Sequence, residues 1–235
     1  MQLLVFDLKG SLAHFRRPDT MGTQATYPFI TRTALQGLIA SVLGVDRLPE
    51  EARCGLRLLS PVRTVAQELS MHGKSWVSGG DEKSYRRPTA IELVVKPRYR
   101  VYYTGAFVEE LKALLQDSRS HYHTYLGSAF CLTFPRWVKA VAEPQEVEPD
   151  PSREMVCVTV VPSPAVARLL PEVGRQYARV GGILKDYLGN RCFRGSVAVI
   201  YEVDGGPLRF KPKASTAEAF WRFYAVPDEG IVCLW

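Results

Sequence analysis

The sequence lacks the patterns that mark a disulfide framework or a metal site. Its five cysteines are odd in number, scattered along the chain and never in CxxC spacing, and its four histidines are too dispersed for a metal cage. We therefore expect neither a metal nor another cofactor. A reducing cytoplasm is the expected compartment.

Long apolar runs are also absent. No stretch reaches the roughly 20 apolar residues that a membrane-spanning helix needs. The N-terminal segment MQLLVFDLKG has no basic region and reaches Asp7 too early for a signal peptide. We expect a β-strand there and no contact with a membrane.

Little in the sequence indicates catalysis, since it contains no GxSxG motif, no Walker loop and no Cys/His pair in a recognisable context. The one candidate is HYHTY, in which His121 or His123 would act as a general base for attack by an RNA 2′-hydroxyl. Two histidines at this spacing in a loop are more often ordinary surface residues. The sequence therefore favours a protein that is not an enzyme.

Positive charge is concentrated in the first part of the chain. The net charge is +6, and residues 1–142 hold 19 Lys/Arg against 12 Asp/Glu, whereas residues 143–235 hold 11 against 12. A basic part beside a neutral part predicts a polyanionic partner for the first. The alternative is a basic surface that only meets solvent.

The chain divides at an acidic segment with three prolines, EPQEVEPDPSRE, which cannot donate regularly to a helix or sheet. It predicts a linker, residues 143–154, between a first domain, residues 1–142, and a small β-rich domain, residues 155–235. The first domain reads strand, helix, strand, strand, helix, strand, with an insert at about 72–88. This order predicts an α+β fold of the ferredoxin-like βαββαβ type.

The second domain is less regular. MVCVTVVP, GSVAVIYEVDG and GIVCLW are predicted to be strands. PAVARLLPEV is predicted to be a short helix. Together these segments indicate a smaller, sheet-rich appendage.

The most informative stretch is TYPFITRTALQGLIASVLG, from Thr26 to Gly44. Its apolar stripe predicts a helix, Thr31 or Thr33 is placed to cap the start, and Gly44 predicts the end. None of this needs Arg32, since a cation at the positive end of a helix is slightly unfavourable unless an anion lies between them. Two interpretations stay open: the arginine helps to bind a phosphate, or it pairs with an acid elsewhere.

The insert HGKSWVSGGDEKSYRRPT interleaves cations with aromatic residues. This combination suits RNA, whose splayed bases stack on rings while its phosphates meet cations. The alternative is that Trp76 folds back on its own domain. Arg98 in KPRYRVYY and the pair Arg16–Arg17 at the end of the first strand add further cations. The candidate RNA-binding residues of the insert are Lys74, Trp76, Lys83, Tyr85, Arg86 and Arg87.

Four segments in order, FDLKGSLAHFR, TYPFITRTALQGLIASVLG, RRPTAIELVVKPRYRVYY and TYLGSAF, make the chain resemble the CRISPR-associated family-five proteins of the RAMP superfamily. The resemblance covers most of residues 1–135 and is to the type I-B-like branch. It implies a ferredoxin-like domain with a protruding β-hairpin thumb, a small C-terminal sheet domain, and a place at one end of the Cascade surveillance complex.

The resemblance also implies partners. The chain would hold the 5′ handle of the CRISPR RNA, contact the backbone subunit and the large subunit of Cascade, and reach target DNA through the complex in antiviral defence. The thumb would correspond to the insert. The implied handle contacts are Arg16, Arg17, Tyr27, Thr31, Arg32, Thr33 and Gln36.

The type I-C branch of this family cleaves the precursor RNA itself, without metal, using a tyrosine, a lysine and a histidine. The present sequence has no adjacent Lys–His pair in the matching region. We therefore expect a non-catalytic RNA-binding subunit, with a separate endonuclease making the RNA. The alternatives are a metal-independent endoribonuclease and a protein–protein adaptor, the latter leaving the basic N-terminal half unexplained.

Overall fold

The computed structural model describes residues 1–20, 22–72, 86–216 and 219–235, and shows a mixed α+β fold that is rich in strands. Two α-helices occur in these ranges, α1 (Arg32–Leu43) and α2 (Val108–Gln116). The strands are β1 (Leu3–Lys9), β2 (Leu12–Ala13), β3 (Arg53–Leu58), β4 (Thr64–His72), β5 (Arg86–Val95), β6 (Arg98–Thr104), β7 (Arg136–Val141), β8 (Gln145–Val147), β9 (Met155–Cys157), β10 (Val161–Pro162), β11 (Val166–Leu169), β12 (Tyr177–Gly189), β13 (Cys192–Glu202), β14 (Leu208–Pro212), β15 (Arg222–Val226) and β16 (Gly230–Leu234).

The central sheet has the antiparallel strand order β3-β6-β1-β7, with α1 following β1 and α2 following β6. Alternation along β1 decides what each face contacts. Leu4, Phe6 and Leu8 join the buried cluster that contains the apolar residues of both helices. Leu3 and Val5 face the other way, into a second buried cluster.

The second face of the central sheet is covered by the C-terminal part of the chain. Tyr102 of β6 packs there with Tyr224, Val226 and Val232 from β15 and β16. These strands belong to a six-stranded sheet of order β11-β14-β9-β16-β15-β8. The C-terminal residues therefore complete the core, rather than forming the appendage expected from the sequence.

The predicted linker contains a strand. β8 lies inside residues 143–154 and pairs antiparallel with β15. The three prolines flank β8 at Pro144, Pro149 and Pro151, so each backbone N–H of the strand stays available for pairing.

The two strands expected on either side of the insert are each broken into two. Both breaks lie at prolines, Pro61 between β3 and β4, and Pro97 between β5 and β6. Ser60, next to Pro61, is hydrogen-bonded to the residues on both sides of Pro97. Its hydroxyl donates to the Lys96 carbonyl at 3.3 Å and accepts from the Arg98 N–H at 3.0 Å. β4 and β5 leave the central sheet and pair with each other, and β2 pairs with β5. The tip expected as the thumb, residues 73–85, lies outside the described residues.

A second long hairpin, β12–β13, was not predicted from the sequence. Its two-residue turn places Asn190 and Arg191 at φ 50° and 60°. Positive φ at both central residues matches the twist of a two-residue hairpin turn. β10 lies beside β13 in the same three-stranded sheet.

The helix predicted for PAVARLLPEV is wrong. Ser163–Ala165 form one 3₁₀ turn and the chain then continues as β11, paired with β14. Pro164 stands in the first positions of that turn, and the pairing of β11 with β14 contains a register shift between Val166 and Arg168. Within the described ranges, neither α-helix is long and apolar enough to cross a membrane.

One carboxylate joins the central sheet to the C-terminal part. Glu229, 5% exposed in the turn between β15 and β16, accepts hydrogen bonds from Arg57 Nη1 at 3.1 Å, Arg100 Nη1 at 2.7 Å and Tyr102 Oη at 2.9 Å. Arg100 also binds Asp7 at 2.8 and 3.0 Å. Arginines from two strands, β3 and β6, therefore converge on this turn.

Replacing this carboxylate should destabilise the fold. Glu229→Gln is expected to lower the free energy of unfolding by about 3 kcal/mol, because at a buried position Arg57 loses its carboxylate partner and Arg100 keeps only Asp7. Urea denaturation measures the difference.

The matched control is the neighbouring Asp228, whose side chain is 93% exposed. Asp228→Asn keeps a residue type that tolerates the observed φ of 64°, and should change stability by less than about 0.5 kcal/mol. Equal effects of the two substitutions would contradict the assigned role of Glu229.

Candidate nucleic-acid interface

The start and end of α1 are as predicted. Thr31 is the N-cap, with extended backbone (φ −75°, ψ 160°) and a hydroxyl that accepts from the Ala34 N–H at 3.4 Å. Gly44 ends the helix at φ 76°. Arg32, which follows the N-cap, therefore lies in the first turn of α1, where backbone N–H groups lack helical acceptors.

Arg32 pairs with an acid, as one of the two interpretations proposed. Its Nη1 donates to Asp186 Oδ1 at 3.1 Å and to the Lys185 carbonyl, both in β12. The Arg32 side chain is 9% exposed and that of Asp186 is 17% exposed. The guanidinium therefore holds the β12–β13 hairpin against the first turn of α1. A direct phosphate contact by Arg32 stays a prediction.

Further bonds hold the hairpin in the same place. Asp186 also forms an ion pair with Arg194 Nε at 3.4 Å. Arg194 in turn pairs with Glu50, which follows the end of α1, at 3.1 Å. The Tyr27 hydroxyl donates to the Gly182 carbonyl at 2.5 Å. Burial raises the pKa of the Tyr27 phenol, so the group stays protonated at neutral pH and is able to donate.

A cleft of about 240 Å³ opens between the start of α1 and the hairpin, and we call it the α1 cleft. Four predicted contact residues line it together with residues of three other segments. The lining includes Arg16, Tyr27, Thr31, Thr33, His14, Phe15, Gly127, Leu184 and Phe193. The structure thus gathers a guanidinium, hydroxyls and a helix N-terminus around one space, a combination suited to an anion.

The adjacent Arg16 and Arg17 differ in whether a carboxylate pairs with them. Arg17 makes a bidentate ion pair with Asp19, with N–O distances of 3.1 and 2.7 Å. Its guanidinium lies 5.8 Å from the centre of the Tyr27 ring. Arg16 is exposed and donates to the Thr20 carbonyl at 3.0 Å. Among the described residues, no carboxylate pairs with Arg16. It is the cation most available to a ligand in the α1 cleft.

Gly127, from the motif YLG, is required by close packing. Its φ is 87°, and a Cβ there would lie 1.9 Å from the His14 carbonyl oxygen. The neighbouring Leu126 carbonyl accepts from the His14 N–H at 3.0 Å. The loop that carries this motif therefore forms one wall of the α1 cleft by pressing its backbone against the chain after β2.

The other predicted contacts are not part of the α1 cleft. Gln36 lies one turn along α1, where it accepts from Arg32 and donates to the Ala52 carbonyl, both at 3.4 Å. Arg98 is exposed at the start of β6, opposite Lys9. Arg86 and Arg87 begin β5. Lys74, Trp76, Lys83 and Tyr85 lie outside the described residues.

The two candidate catalytic histidines are exposed. The backbone N–H groups of His121 and Tyr122 donate to the Val42 and Ser41 carbonyls at 3.0 and 3.1 Å, at the C-terminal end of α1. Twelve helical residues, a length of about 18 Å, separate that end from the α1 cleft. Within the parts of the chain that the structure describes, no group of His, Cys, Asp and Glu side chains is arranged to hold a metal ion.

Sequence reasoning missed the residues that the β12–β13 hairpin contributes. Leu184, Asp186 and Phe193 come from LKDYLGNRCFR, a stretch in which cations are interleaved with aromatic rings. The same signal identified the insert at 72–88. In the second half of the chain it was hidden by a neutral overall charge.

A family model described as "CRISPR-associated protein (Cas_Cas5)" matches residues 3–156. The matched range contains the α1-cleft residues up to Gly127 and ends before β12. Among curated protein sequences, none matches the chain.

Solved structures share the fold at low sequence identity. A CRISPR protein from Archaeoglobus fulgidus has a TM-score of 0.59 and 12% identity, over 99% of this chain and 98% of that one. A chain of a CRISPR RNA-guided surveillance complex has a TM-score of 0.53 and 16% identity, over 93% and 95%. A Cas protein crystal structure has a TM-score of 0.51 and 17% identity, over 86% and 95%.

The glycine of the YLG motif provides a stability test. Gly127→Ala is expected to lower the free energy of unfolding by about 3 kcal/mol or more, because left-handed backbone strain adds to overpacking against a carbonyl. Thermal or urea unfolding measures the loss.

Gly22→Ala is the matched control, since a Cβ at Gly22 would meet nothing within 4 Å. It should leave the unfolding midpoint nearly unchanged. A Gly127→Ala protein as stable as this control would show that the loop does not pack as described.

Proposed function

The chain belongs to the CRISPR-associated Cas5 family, as its motifs predicted, and we propose that it is a non-catalytic RNA-binding subunit of a type I Cascade complex. In this proposal it holds the 5′ handle of the CRISPR RNA, next to the backbone subunit and the large subunit, in the cytoplasm. Contact with target DNA occurs through the assembled complex.

The proposal includes the fold of the first domain. The strand order β3-β6-β1-β7, with one helix after β1 and one after β6, supports a ferredoxin-like arrangement. The β4–β5 hairpin would then be the stem of the thumb. Its cations at 74–87 remain predicted RNA contacts.

The observation that carries the proposal is the α1 cleft. Arg16, Thr31 and Thr33, which the sequence motifs single out, line one space with the glycine of YLG. A phosphate in that space would meet the guanidinium of Arg16, threonine hydroxyls and the positive end of α1. Asp186 already neutralises Arg32 there, so Arg16 supplies the charge.

Salt-dependent RNA binding tests this proposal. Wild-type protein should bind single-stranded repeat RNA with an affinity that falls as salt rises, and Arg16→Ala should bind more weakly with a salt slope smaller by about 0.7, the value of one phosphate contact on a single strand. Fluorescence anisotropy across a potassium chloride series measures both.

Arg153→Ala is the control, since Arg153 is 85% exposed and lies beside Asp150 in the acidic segment. It should leave the salt slope unchanged. Absence of RNA binding, or an Arg16→Ala slope equal to that of wild type, would contradict the proposal.

We further propose that the chain does not process RNA. Repeat RNA incubated with the full chain in EDTA is expected to stay intact on a denaturing gel, because His121 and His123 lie in an exposed segment that caps the far end of α1. A cleavage product that disappears in His121→Ala or His123→Ala would instead establish the endoribonuclease alternative.

A further inference from the structure

A second space, which we call the tip groove, lies between the outer face of α1 and the end of the β12–β13 hairpin. Its volume is about 330 Å³, and its walls include Gln36 and Gly37 of α1, Arg47 of the following loop, and Tyr187 and Phe193 of the hairpin. This volume is at the lower end of the range for small-ligand pockets. It therefore suits a single ring system and its immediate substituents rather than a protein segment.

The hairpin wall of the tip groove is aromatic and open. Tyr187 and Phe193 pack on each other with ring centres 5.3 Å apart, yet they stay 42% and 40% exposed. Two adjacent rings on a hairpin tip leave apolar surface in water unless something covers it. Flat aromatic ligands cover such surface by stacking.

The helix wall of the tip groove has a gap at Gly37, among lining residues that do carry side chains: Thr33, Ala34, Gln36 and Ala40. A Cβ added at Gly37 would meet nothing within 4 Å. A glycine inside a helix costs stability relative to alanine, and here no neighbouring element of the described chain uses the space. The slot between Gly37 and the rings is therefore open for a planar group.

The tip groove continues the α1 cleft. Thr33, Ala34 and Phe193 line both spaces. A strand that leaves the Arg16 end of the α1 cleft reaches the tip groove by passing Phe193. One bound polymer is thus able to occupy both.

The charges around the tip groove suit a polyanion whose base enters the slot. Arg47 lines the groove and Arg191 forms the hairpin turn, and neither pairs with a carboxylate in the described parts of the chain. Asp46 also lines it, and disfavours a phosphate inside while offering an acceptor to a base amino group. Phosphates would stay at the rim with the arginines.

We propose that the tip groove binds one unstacked base of single-stranded RNA, held between Tyr187, Phe193 and the bare face of α1 at Gly37. This inference rests on the proposed RNA-binding function and extends it to the C-terminal hairpin. The base follows, along the strand, the phosphate that meets Arg16.

Two substitutions test the proposal: Gly37→Leu fills the slot, and Tyr187→Ala removes one of its two rings. The probe is fluorescein-labelled oligoadenylate RNA, measured by anisotropy across the same salt series. Tyr187→Ala and Gly37→Leu should each weaken binding about tenfold, within the range for loss of one base–aromatic stack. Both should keep the wild-type salt slope, because neither removes a phosphate contact.

A fluorescent base reports stacking directly. With 2-aminopurine placed at successive positions of the repeat RNA, one position should change its fluorescence on binding to wild type and show no such change on binding to Gly37→Leu. Leucine favours a helix more than glycine does, so Gly37→Leu should unfold no earlier than wild type. Tyr122→Ala, at an exposed tyrosine that lines neither the tip groove nor the α1 cleft, is the matched control and should bind as wild type does.

The outcomes separate this inference from the function on which it rests. Wild-type affinity in both Tyr187→Ala and Gly37→Leu, with a reduced slope in Arg16→Ala, would overturn the base site and leave the proposed function standing. No binding of oligoadenylate or repeat RNA by wild type would overturn both.

Discussion

The ion pair between Arg32 and Asp186 fixes the β12–β13 hairpin against the start of α1. A guanidinium in the first helical turn is repelled by the positive end of the helix, and a carboxylate beside it reverses that sign. Asp186 supplies this carboxylate from a strand 154 residues further along the chain, at 3.1 Å. Because both side chains are largely buried, breaking the pair would leave an unmatched charge inside. The hairpin therefore stays over α1, and both spaces beside Phe193 exist only in that arrangement.

The C-terminal part of the chain is a structural partner of the first part on both sides of the central sheet. On the helix side the β12–β13 hairpin is joined through Arg32 and Tyr27. On the other side Glu229 gathers Arg57 and Arg100, and apolar residues of β15 and β16 cover β1. Alternation in β1 therefore buries both of its faces, whereas an antiparallel sheet with one free face would leave every second residue in water.

Local rules of helix and strand formation account for what could be predicted. The cap at Thr31, the stop at Gly44 and the apolar stripe between them depend on neighbours within a few residues, and each was read correctly. The partner of Arg32 was not identifiable, because nothing local selects Asp186 from the other acids. The β12–β13 hairpin was hidden for a different reason: Gly181 and Gly182 interrupt the strand pattern where the pairing register shifts. Breaks at Pro61 and Pro97 likewise turned two expected strands into four.

The same non-local contacts decide which cations are available to a ligand. The count of lysines and arginines showed that the first part of the chain is basic. Several of its arginines already form ion pairs, however: Arg17 with Asp19, Arg32 with Asp186, and Arg100 with Asp7 and Glu229. A paired guanidinium contributes little to attracting a phosphate, since its partner cancels most of its field. Arg16 has only a carbonyl partner in the described chain. The electrostatic attraction of the α1 cleft therefore depends mainly on one residue, and the paired arginines hold the walls that shape it.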